Sequence, residues 1–143
     1  MEYLFFDTSA LVKRYHGEEG SKKVDEMIED GESHVVITSL SVIEAISAFR
    51  RKYNREEITE DRMNQTLSVF FEEALEDFLI IPLEESLTEH SFDLILAEDL
   101  RTLDSLQLSA ALMVKQENVR FVSADEKLNS VAEDRGLEVF NPS

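Results

Sequence analysis

The chain lacks cysteine, has no long apolar run and is poor in basic residues, with 14 Lys and Arg against 31 Asp and Glu among its 143 residues. The absence of cysteine excludes a disulfide framework and cysteine-based zinc or redox sites. His16, His34 and His90 lack metal-ligand spacing and are expected to be solvated or capping residues. No apolar run reaches the roughly 20 residues of a membrane span, and a first strand beginning at residue 3 leaves no room for a signal peptide. The sequence therefore predicts a soluble cytoplasmic protein.

The formal net charge of −17 argues against tight general binding of nucleic acid, because affinity for phosphates comes from Lys and Arg. The basic residues are unevenly distributed, however, with four of them within 50–55 and two more at 13–14. An acidic shell with local basic strips is compatible with a nuclease without favouring one. It is equally compatible with an adaptation for solubility or with a basic protein partner.

The hydrophobic fraction of 43% excludes intrinsic disorder, and the length predicts a single domain over residues 1–143. Apolar runs alternate with helical periodicity along the chain, which predicts a mainly parallel sheet covered on both faces. The predicted strands are 3–6, 34–38, 79–83, 120–123 and 137–140. The predicted helices are about 8–15, 21–30, 39–54, 60–77, 85–99, 104–116 and 124–134.

Four acidic residues, Asp7, Glu44, Asp104 and Asp125, fall where the chain turns from strand or loop into helix. In a parallel α/β sheet such junctions gather at one edge, outside the carboxyl ends of the strands. Four carboxylates brought together there would repel one another unless divalent cations lay between them. The pattern predicts a Mg²⁺ or Mn²⁺ site, and the chemistry best suited to it is phosphodiester hydrolysis.

The helix predicted over 39–54 carries both an acid and basic residues. Its core stripe is expected at Val42, Ile46, Phe49 and Tyr53. Glu44 would point nearly opposite to that stripe, on the face that also carries Arg51 and Arg55. Arg51 would lie about 10 Å along the helix from Glu44, a distance that suits a phosphate one or two nucleotides away from a metal. A solvated helix face would show the same pattern.

Each acid also has a structural explanation. Asp7 and Asp104 could cap the helices that follow them. Glu44 could belong to a Ser-x-x-Glu capping box that starts at Ser41, and a second such box starts at Ser123. The metal hypothesis therefore rests on the joint pattern. The helix that begins at Asp104 is apolar nearly all round, and its burial would bring this acid to the edge where the other acids arrive.

Four segments of the sequence resemble the motif blocks of the PIN-domain nucleases, most closely those of VapC toxins from type II toxin–antitoxin systems. They are FFDTSALVKRY (5–15), SLSVIEAISAF (39–49), LRTLDSLQLSAAL (100–112) and FVSADEKL (121–128). The resemblance implies a three-layer α/β/α sandwich around a mainly parallel sheet. It implies that the metal-binding and catalytic acids are Asp7, Glu44, Asp104 and Asp125, and that the supporting hydroxyls are Thr8, Ser9 and Ser123.

The same resemblance implies a Mg²⁺- or Mn²⁺-dependent endoribonuclease that forms a homodimer and binds a cognate antitoxin. Asp7 is the best candidate for a ligand shared by two ions. Two positions depart from the family pattern or leave it ambiguous. Gln107 stands where many VapC-like chains carry a histidine, and Asp99 could replace or supplement Asp104.

Other classes of α/β protein fit less well. A response-regulator phosphoacceptor needs an Asp at the end of the third strand and a Lys at the end of the last, and neither is present. A DxD phosphatase fails because the sequence after Asp7 lacks the second Asp. A solitary RNA-processing PIN nuclease and a catalytically idle interaction module remain open, and a ribonuclease assay with and without metal distinguishes them.

Overall fold

The computed structural model of the chain describes residues 1–115 and 117–143. Its five strands are β1 (Glu2–Phe6), β2 (Ser33–Thr38), β3 (Leu79–Ile81), β4 (Val119–Val122) and β5 (Glu138–Phe140). Its helices are α1 (Thr8–Leu11), α2 (Ser21–Glu29), α3 (Ser39–Asn54), α4 (Glu60–Asp77), α5 (Glu85–Glu98), α6 (Thr102–Met113) and α7 (Glu126–Asp134). The strands form one sheet in the order β3-β2-β1-β4-β5, and every neighbouring pair is parallel.

Helices cover both faces of the sheet. Alternate residues of a strand point to opposite faces, so the strands contribute side chains to a core on either side. Leu4 and Phe6 of β1 belong to a core shared with α1 to α4. Phe5 points the other way and stacks on Phe121 of β4, in a second core shared with α5, α6 and α7. The predicted three-layer α/β/α sandwich around a parallel sheet is confirmed. None of the helices in the described part of the chain has the length and apolar character needed to span a bilayer.

Several element boundaries differ from the predicted ones for local reasons. The first predicted helix is divided into α1 and a short 3-10 helix, Val12–Arg14. β3 ends before Pro82, which has no backbone N–H to continue a ladder. α7 begins one residue after Asp125, because the Asp125 side chain accepts from the Leu128 N–H as a helix cap.

The helix predicted over 104–116 also differs. α6 starts at Thr102 and ends at Met113, so Asp104 is its third residue. The predicted C-terminal boundary falls on residue 116, which lies outside the described residues.

The buried line of α3 agrees with the predicted one only at Phe49. Ser41, Ala45 and Phe49 are the buried residues of this helix, whereas Val42 and Ile46 are only partly buried. The prediction followed the large apolar side chains, but small residues pack closest where the helix approaches the rest of the core. As a result, Glu44 borders the buried line instead of lying opposite to it.

The sheet order places β1 in the centre, between β2 and β4. The chain passes from β1 to β2 and β3 on one side, then crosses to β4 on the other side. In open α/β sheets such a reversal creates a crevice at the carboxyl ends of the strands. Asp7 follows β1 and Ser123 follows β4 at this point, and the Asp7 N–H donates to the Val122 carbonyl (3.1 Å).

Candidate functional site

Asp7 lies at the centre of the crevice, and its side chain is held on both oxygens. Oδ1 accepts hydrogen bonds from the Ser9 hydroxyl (2.7 Å) and the Ala10 N–H (3.0 Å), so Asp7 caps α1. Oδ2 accepts from the Ser123 hydroxyl (2.8 Å). The residue is only 4% exposed. The carboxylate is therefore fixed in one orientation by groups from two segments of the chain.

Burial raises the pKa of Asp7 from 3.8 to about 6, because the charged form is deprived of water. The hydrogen bonds from Ser9, Ala10 and Ser123 lower the pKa and offset part of this effect. Repulsion from the negative charge of Asp104 adds to the increase. A cation beside Asp7 would lower this pKa again, because it favours the charged form.

Ser9 and Ser123 connect the ends of β1 and β4. The Ser9 hydroxyl accepts from the Ala124 N–H (3.1 Å), and the Ser123 hydroxyl accepts from the Asp125 N–H (3.1 Å). Both serines donate to Asp7 at the same time, so each hydroxyl uses its hydrogen and one lone pair. These bonds fix the position of Asp7 relative to the backbone of Asp125.

Asp104 and Asp125 are joined by a cation from the chain itself. The Arg101 guanidinium is 3.2 Å from Asp104 Oδ2 and 3.9 Å from Asp125 Oδ2. The Arg101 side chain is 82% exposed, so solvent screens both contacts and they contribute little to stability. Asp125 also caps α7, through a hydrogen bond from the Leu128 N–H (3.0 Å).

Glu44 is held by a separate polar cluster. Its Oε1 accepts from the Thr8 hydroxyl (2.7 Å) and from the Gln107 side-chain amide (3.1 Å). Thr8 is adjacent in sequence to Asp7, and Gln107 lies three residues after Asp104 in α6. The cluster therefore connects the helix that carries Glu44 to the elements that carry two of the other acids.

Two cavities border these acids. One, of about 450 Å³, is lined by Glu44, Arg101, Thr102, Leu103 and Asp104. The other, of about 180 Å³, is lined by Leu100, Arg101, Asp104, Asp125, Lys127 and Leu128. Asp104 and Arg101 contribute to both cavities, so they lie between Glu44 on one side and Asp125 on the other.

The four predicted acids thus lie in one region, but their carboxylates do not form a compact ligand cluster. Among residues 1–115 and 117–143, no three Asp, Glu or His side chains are close enough to hold a metal ion. The donor set nevertheless fits Mg²⁺ or Mn²⁺, which prefer carboxylate oxygens and retain waters. Asp7 Oδ2 accepts one hydrogen bond and Glu44 Oε2 accepts none within the described part of the chain, so each has an acceptor position left.

Some of the predicted helix caps are confirmed and others are wrong. Asp7 and Asp125 both cap helices. The capping box expected at Ser41 is wrong, because Thr38 is the cap of α3 and accepts from the Ser41 N–H (3.0 Å). The box expected at Ser123 is wrong too, since Asp125 takes that place. Asp104 does not cap α6, because it lies inside the first turn, after the N-cap Arg101.

The basic residues near the N-terminus and on α3 are largely engaged elsewhere. Arg14 donates to three carboxylates, those of Asp25, Glu29 and Glu73. Arg51 donates to the Ser47 hydroxyl (2.8 Å), one turn earlier on the exposed face of α3. Arg55 is exposed at the end of that helix.

Asp99 is not among the acids that line the two cavities. It ends α5 in the left-handed region (φ 53°), and its side chain is fully exposed. Its partner is the Lys127 ammonium, 3.8 Å from the Asp99 carboxylate. The carboxylate that borders both cavities is that of Asp104.

Sequence reasoning did not assign a role to Arg101, Gln107 or Thr38. Arg101 precedes Asp104 by three residues, a spacing at which opposite charges meet on a helix. Gln107 follows Asp104 by the same spacing, and this periodicity could have placed it beside the site. Thr38 ends a strand and precedes an amphipathic helix, which is the ordinary position of a cap.

Comparisons with known proteins point to one family. A model of the PIN domain matches residues 4–134. None of the curated proteins matches the sequence. Among solved structures, VapBC2 from Rickettsia felis, bound to a promoter DNA fragment, has a similar chain (TM-score 0.64, 18% identity, covering 99% of this chain and 98% of that one).

Two further structures have the same fold at low identity. The toxin–antitoxin complex from Klebsiella pneumoniae has a chain with a TM-score of 0.62 and 18% identity, covering 98% of both chains. VapC20 from Mycobacterium tuberculosis, a toxin that cleaves the sarcin–ricin loop, has a TM-score of 0.67 and 10% identity, covering 90% of this chain and 94% of that one.

Proposed function

The chain belongs to the PIN domain family, and we propose that it is a Mg²⁺- or Mn²⁺-dependent endoribonuclease acting as the toxin of a toxin–antitoxin pair. The observation that carries this proposal is the arrangement of Asp7, Glu44, Asp104 and Asp125 around the crevice at the carboxyl edge of the sheet. A metal ion held there would activate a water molecule and stabilise the charge that develops on the phosphate.

The residues of the chain have distinct roles in this proposal. Asp7 is the central ligand, because it is the most buried of the acids and retains an acceptor position on Oδ2. Glu44, Asp104 and Asp125 complete the ligand set, directly or through water. Ser9 and Ser123 orient Asp7 by hydrogen bonds, and such partners typically tune metal affinity.

Binding of RNA to so acidic a protein requires local positive charge. Arg51 and Arg55 are proposed to contact phosphates along α3, with Arg51 two turns from Glu44. Arg101 adds a guanidinium at the cavities themselves. This distribution favours selective contact near the site over tight general binding.

The proposed partners are an antitoxin and a second copy of the chain. Several large apolar side chains are exposed on α3, α5 and α6, which is typical of an interaction surface. Phe92 and Leu96 lie one turn apart on α5, Leu103 lies in the first turn of α6 and Ile43 precedes Glu44 on α3. The structures of similar fold include toxin–antitoxin complexes. We propose that the protein acts as a single PIN-like domain over residues 1–143, in the cytoplasm.

The decisive experiment is cleavage of a panel of RNAs by wild-type protein with Mg²⁺, with Mn²⁺ and with excess EDTA. Asp7→Asn is the test variant and Asp99→Asn is the matched control, since Asp99 is an exposed acid that lines neither cavity. We expect cleavage by wild type and Asp99→Asn only with metal, and none by Asp7→Asn. Cleavage by Asp7→Asn at the wild-type rate, or cleavage in EDTA, would reject the mechanism.

A catalytically idle interaction module is the alternative. It predicts that the wild type leaves every RNA intact at all metal concentrations, while still binding Mn²⁺ or a protein partner. The retention of all four acids around the crevice favours the nuclease, because an interaction module has no need of them.

A further inference from the structure

Gln107 is a buried amide at the centre of the polar cluster around Glu44. Its side chain lies on α6, the residue is 2% exposed, and it is surrounded by groups from other parts of the chain. Burying an amide is unfavourable unless its hydrogen-bonding groups find partners. The contacts of Gln107 therefore indicate what this residue does at its position.

The amide nitrogen of Gln107 has three acceptors within reach. They are the Ser41 hydroxyl (2.6 Å), Glu44 Oε1 (3.1 Å) and the Thr8 hydroxyl (3.2 Å). The amide oxygen accepts from the Thr38 hydroxyl (3.4 Å). A carboxylate can only accept, so Glu44 fixes which end of the amide faces it. The nitrogen must point toward Glu44 and the oxygen toward Thr38.

This arrangement determines the orientation of Glu44. Thr8 and Gln107 both donate to Oε1, which occupies its two acceptor positions. Oε2 accepts no hydrogen bond within the described residues and is the oxygen left to bind a cation. Glu44 lines a cavity with Asp104, on the side where that cation would lie.

We propose that Gln107 is a positioning residue for the metal site, which holds Glu44 by Oε1 so that Oε2 can bind the ion. The inference rests on the proposed function and assigns a role to a residue that is itself no metal ligand. Its chemistry suits the role. A neutral amide donates to the carboxylate without adding a positive charge, which would repel the metal ion.

The test measures Mn²⁺ affinity of metal-free protein by titration calorimetry, so that it does not depend on cleavage. Gln107→Met removes the donor with little change in volume, and Gln107→Asn keeps an amide that is too short to reach Glu44. We expect both variants to bind Mn²⁺ about 10- to 100-fold more weakly than wild type, as is typical when the partner of a metal ligand is lost. Gln107→His keeps a donor and should retain most of the affinity.

Ser109→Ala is the matched control, because Ser109 lies on the same helix, is equally buried and makes no hydrogen bond through its hydroxyl within the described residues. It should bind Mn²⁺ as the wild type does. The second control is the Glu44→Gln background. If Gln107 acts through Glu44, Gln107→Met should weaken Mn²⁺ binding no further in that background, whereas a general disturbance of the core would weaken it again.

The outcomes separate this inference from the proposed function. Equal Mn²⁺ affinity in wild type and in folded Gln107→Met or Gln107→Asn would overturn the positioning role and leave the metal site intact. An equal further loss in the Glu44→Gln background would also overturn it. Wild-type protein that binds no Mn²⁺ would reject both the metal site and the role of Gln107.

Discussion

The two sides of the candidate site are built differently. Asp7 and Glu44 are held by neutral donors, the hydroxyls of Thr8, Ser9 and Ser123 and the amide of Gln107. On the other side, Asp104 and Asp125 both lie near the guanidinium of Arg101, whose side chain is exposed. The first pair is fixed in orientation by hydrogen bonds from neutral groups, and the charge of the second is offset in part by ion pairs that solvent screens.

The difference indicates how a metal ion would be received. The side with Asp7 and Glu44 offers oxygens whose positions are already set, which lowers the cost of ordering them on binding. On the other side, the exposed guanidinium of Arg101 can leave into solvent at little cost. We therefore expect the Asp7 side to determine whether metal binds at all, and the Arg101 side to adjust how tightly it binds.

The largest expected effect concerns Asp7. Asp7→Asn should reduce metal-dependent cleavage by more than about 100-fold, beyond the loss typical of residues that only support a ligand. The metal-free variant should also melt several degrees higher than wild type at pH 7. A pKa raised from 3.8 to about 6 corresponds to about 3 kcal/mol of destabilisation by the buried charge, and Asn removes that charge while keeping a cap.

Calorimetric melting curves and circular dichroism check this prediction, with Asp125→Asn as the comparison. Asp125 is more exposed than Asp7, and Asn can still cap α7, so this variant should melt close to wild type without metal. A lower melting temperature for metal-free Asp7→Asn would mean that hydrogen bonding of the charged form outweighs its burial.

The next effect is the pH dependence of Mn²⁺ affinity and of stability, which also follows from Asp7. Mn²⁺ must displace the proton of Asp7, so its affinity should fall about tenfold per pH unit below pH 6. Without metal, lowering the pH has the opposite effect, since it stabilises the folded protein. The folded pKa exceeds the unfolded one, so the contribution of Asp7 destabilises the protein above pH 6 and is relieved as the pH falls toward 4. Mn²⁺ titrations and melting curves from pH 5 to 8 check both trends, and Asp7→Asn should lack this contribution.

A smaller effect is expected on the side that carries Arg101. Arg101→Gln removes the positive charge near Asp104 and Asp125, so Mn²⁺ should bind a few times more tightly than to wild type at low salt. The gain should shrink as ionic strength rises, because the contacts are exposed. Arg101→Lys, which keeps the charge, should stay close to wild type. Unchanged Mn²⁺ affinity in Arg101→Gln would show that the two sides do not differ in this way.

The smallest effect concerns Arg51, which belongs to neither side of the candidate site. If Arg51 contacts a phosphate, Arg51→Ala should weaken RNA binding and lower the slope of its salt dependence by about one. Mn²⁺ affinity should be unchanged, since the guanidinium bonds to Ser47 and not to a site acid. Binding assays with inactive Asp7→Asn protein at several salt concentrations check this, and an unchanged slope would leave Arg51 as a solvated surface residue.

The sequence is sufficient to predict the fold because local patterns and topology agree. Each strand was found within two residues of its observed ends, since apolar runs bounded by Gly31, Pro82 or Gly136 are unambiguous. The positions of Asp7 and Asp125 after strands also follow from the pattern. The boundaries of α6 were missed at its start, because Thr102 and Leu103 carry no signal that distinguishes a loop from a first helical turn.

The environment of the acids could not be predicted in the same way. The cluster of Thr8, Ser41, Glu44 and Gln107 depends on contacts between residues 33 to 99 positions apart, which no local pattern encodes. The buried line of α3 was misplaced because periodicity ranks Val42 above Ser41, whereas close packing prefers the smaller residue. The pairing of Arg101 with Asp125 likewise depends on the approach of α6 to α7 in the folded chain.

The central position of β1 in the sheet has a consequence for the order in which the protein is made. β1 is synthesised before both of its neighbours in the sheet, and one of them, β4, begins only at Val119 and is followed by Ser123. A growing chain that has reached only the end of α6 has Asp7 with Ser9 but without Ser123, the second serine that orients it, and without Asp125. The site is therefore assembled only after β4 has been made, and a ribosome-bound or truncated fragment that ends before β4 carries no complete site.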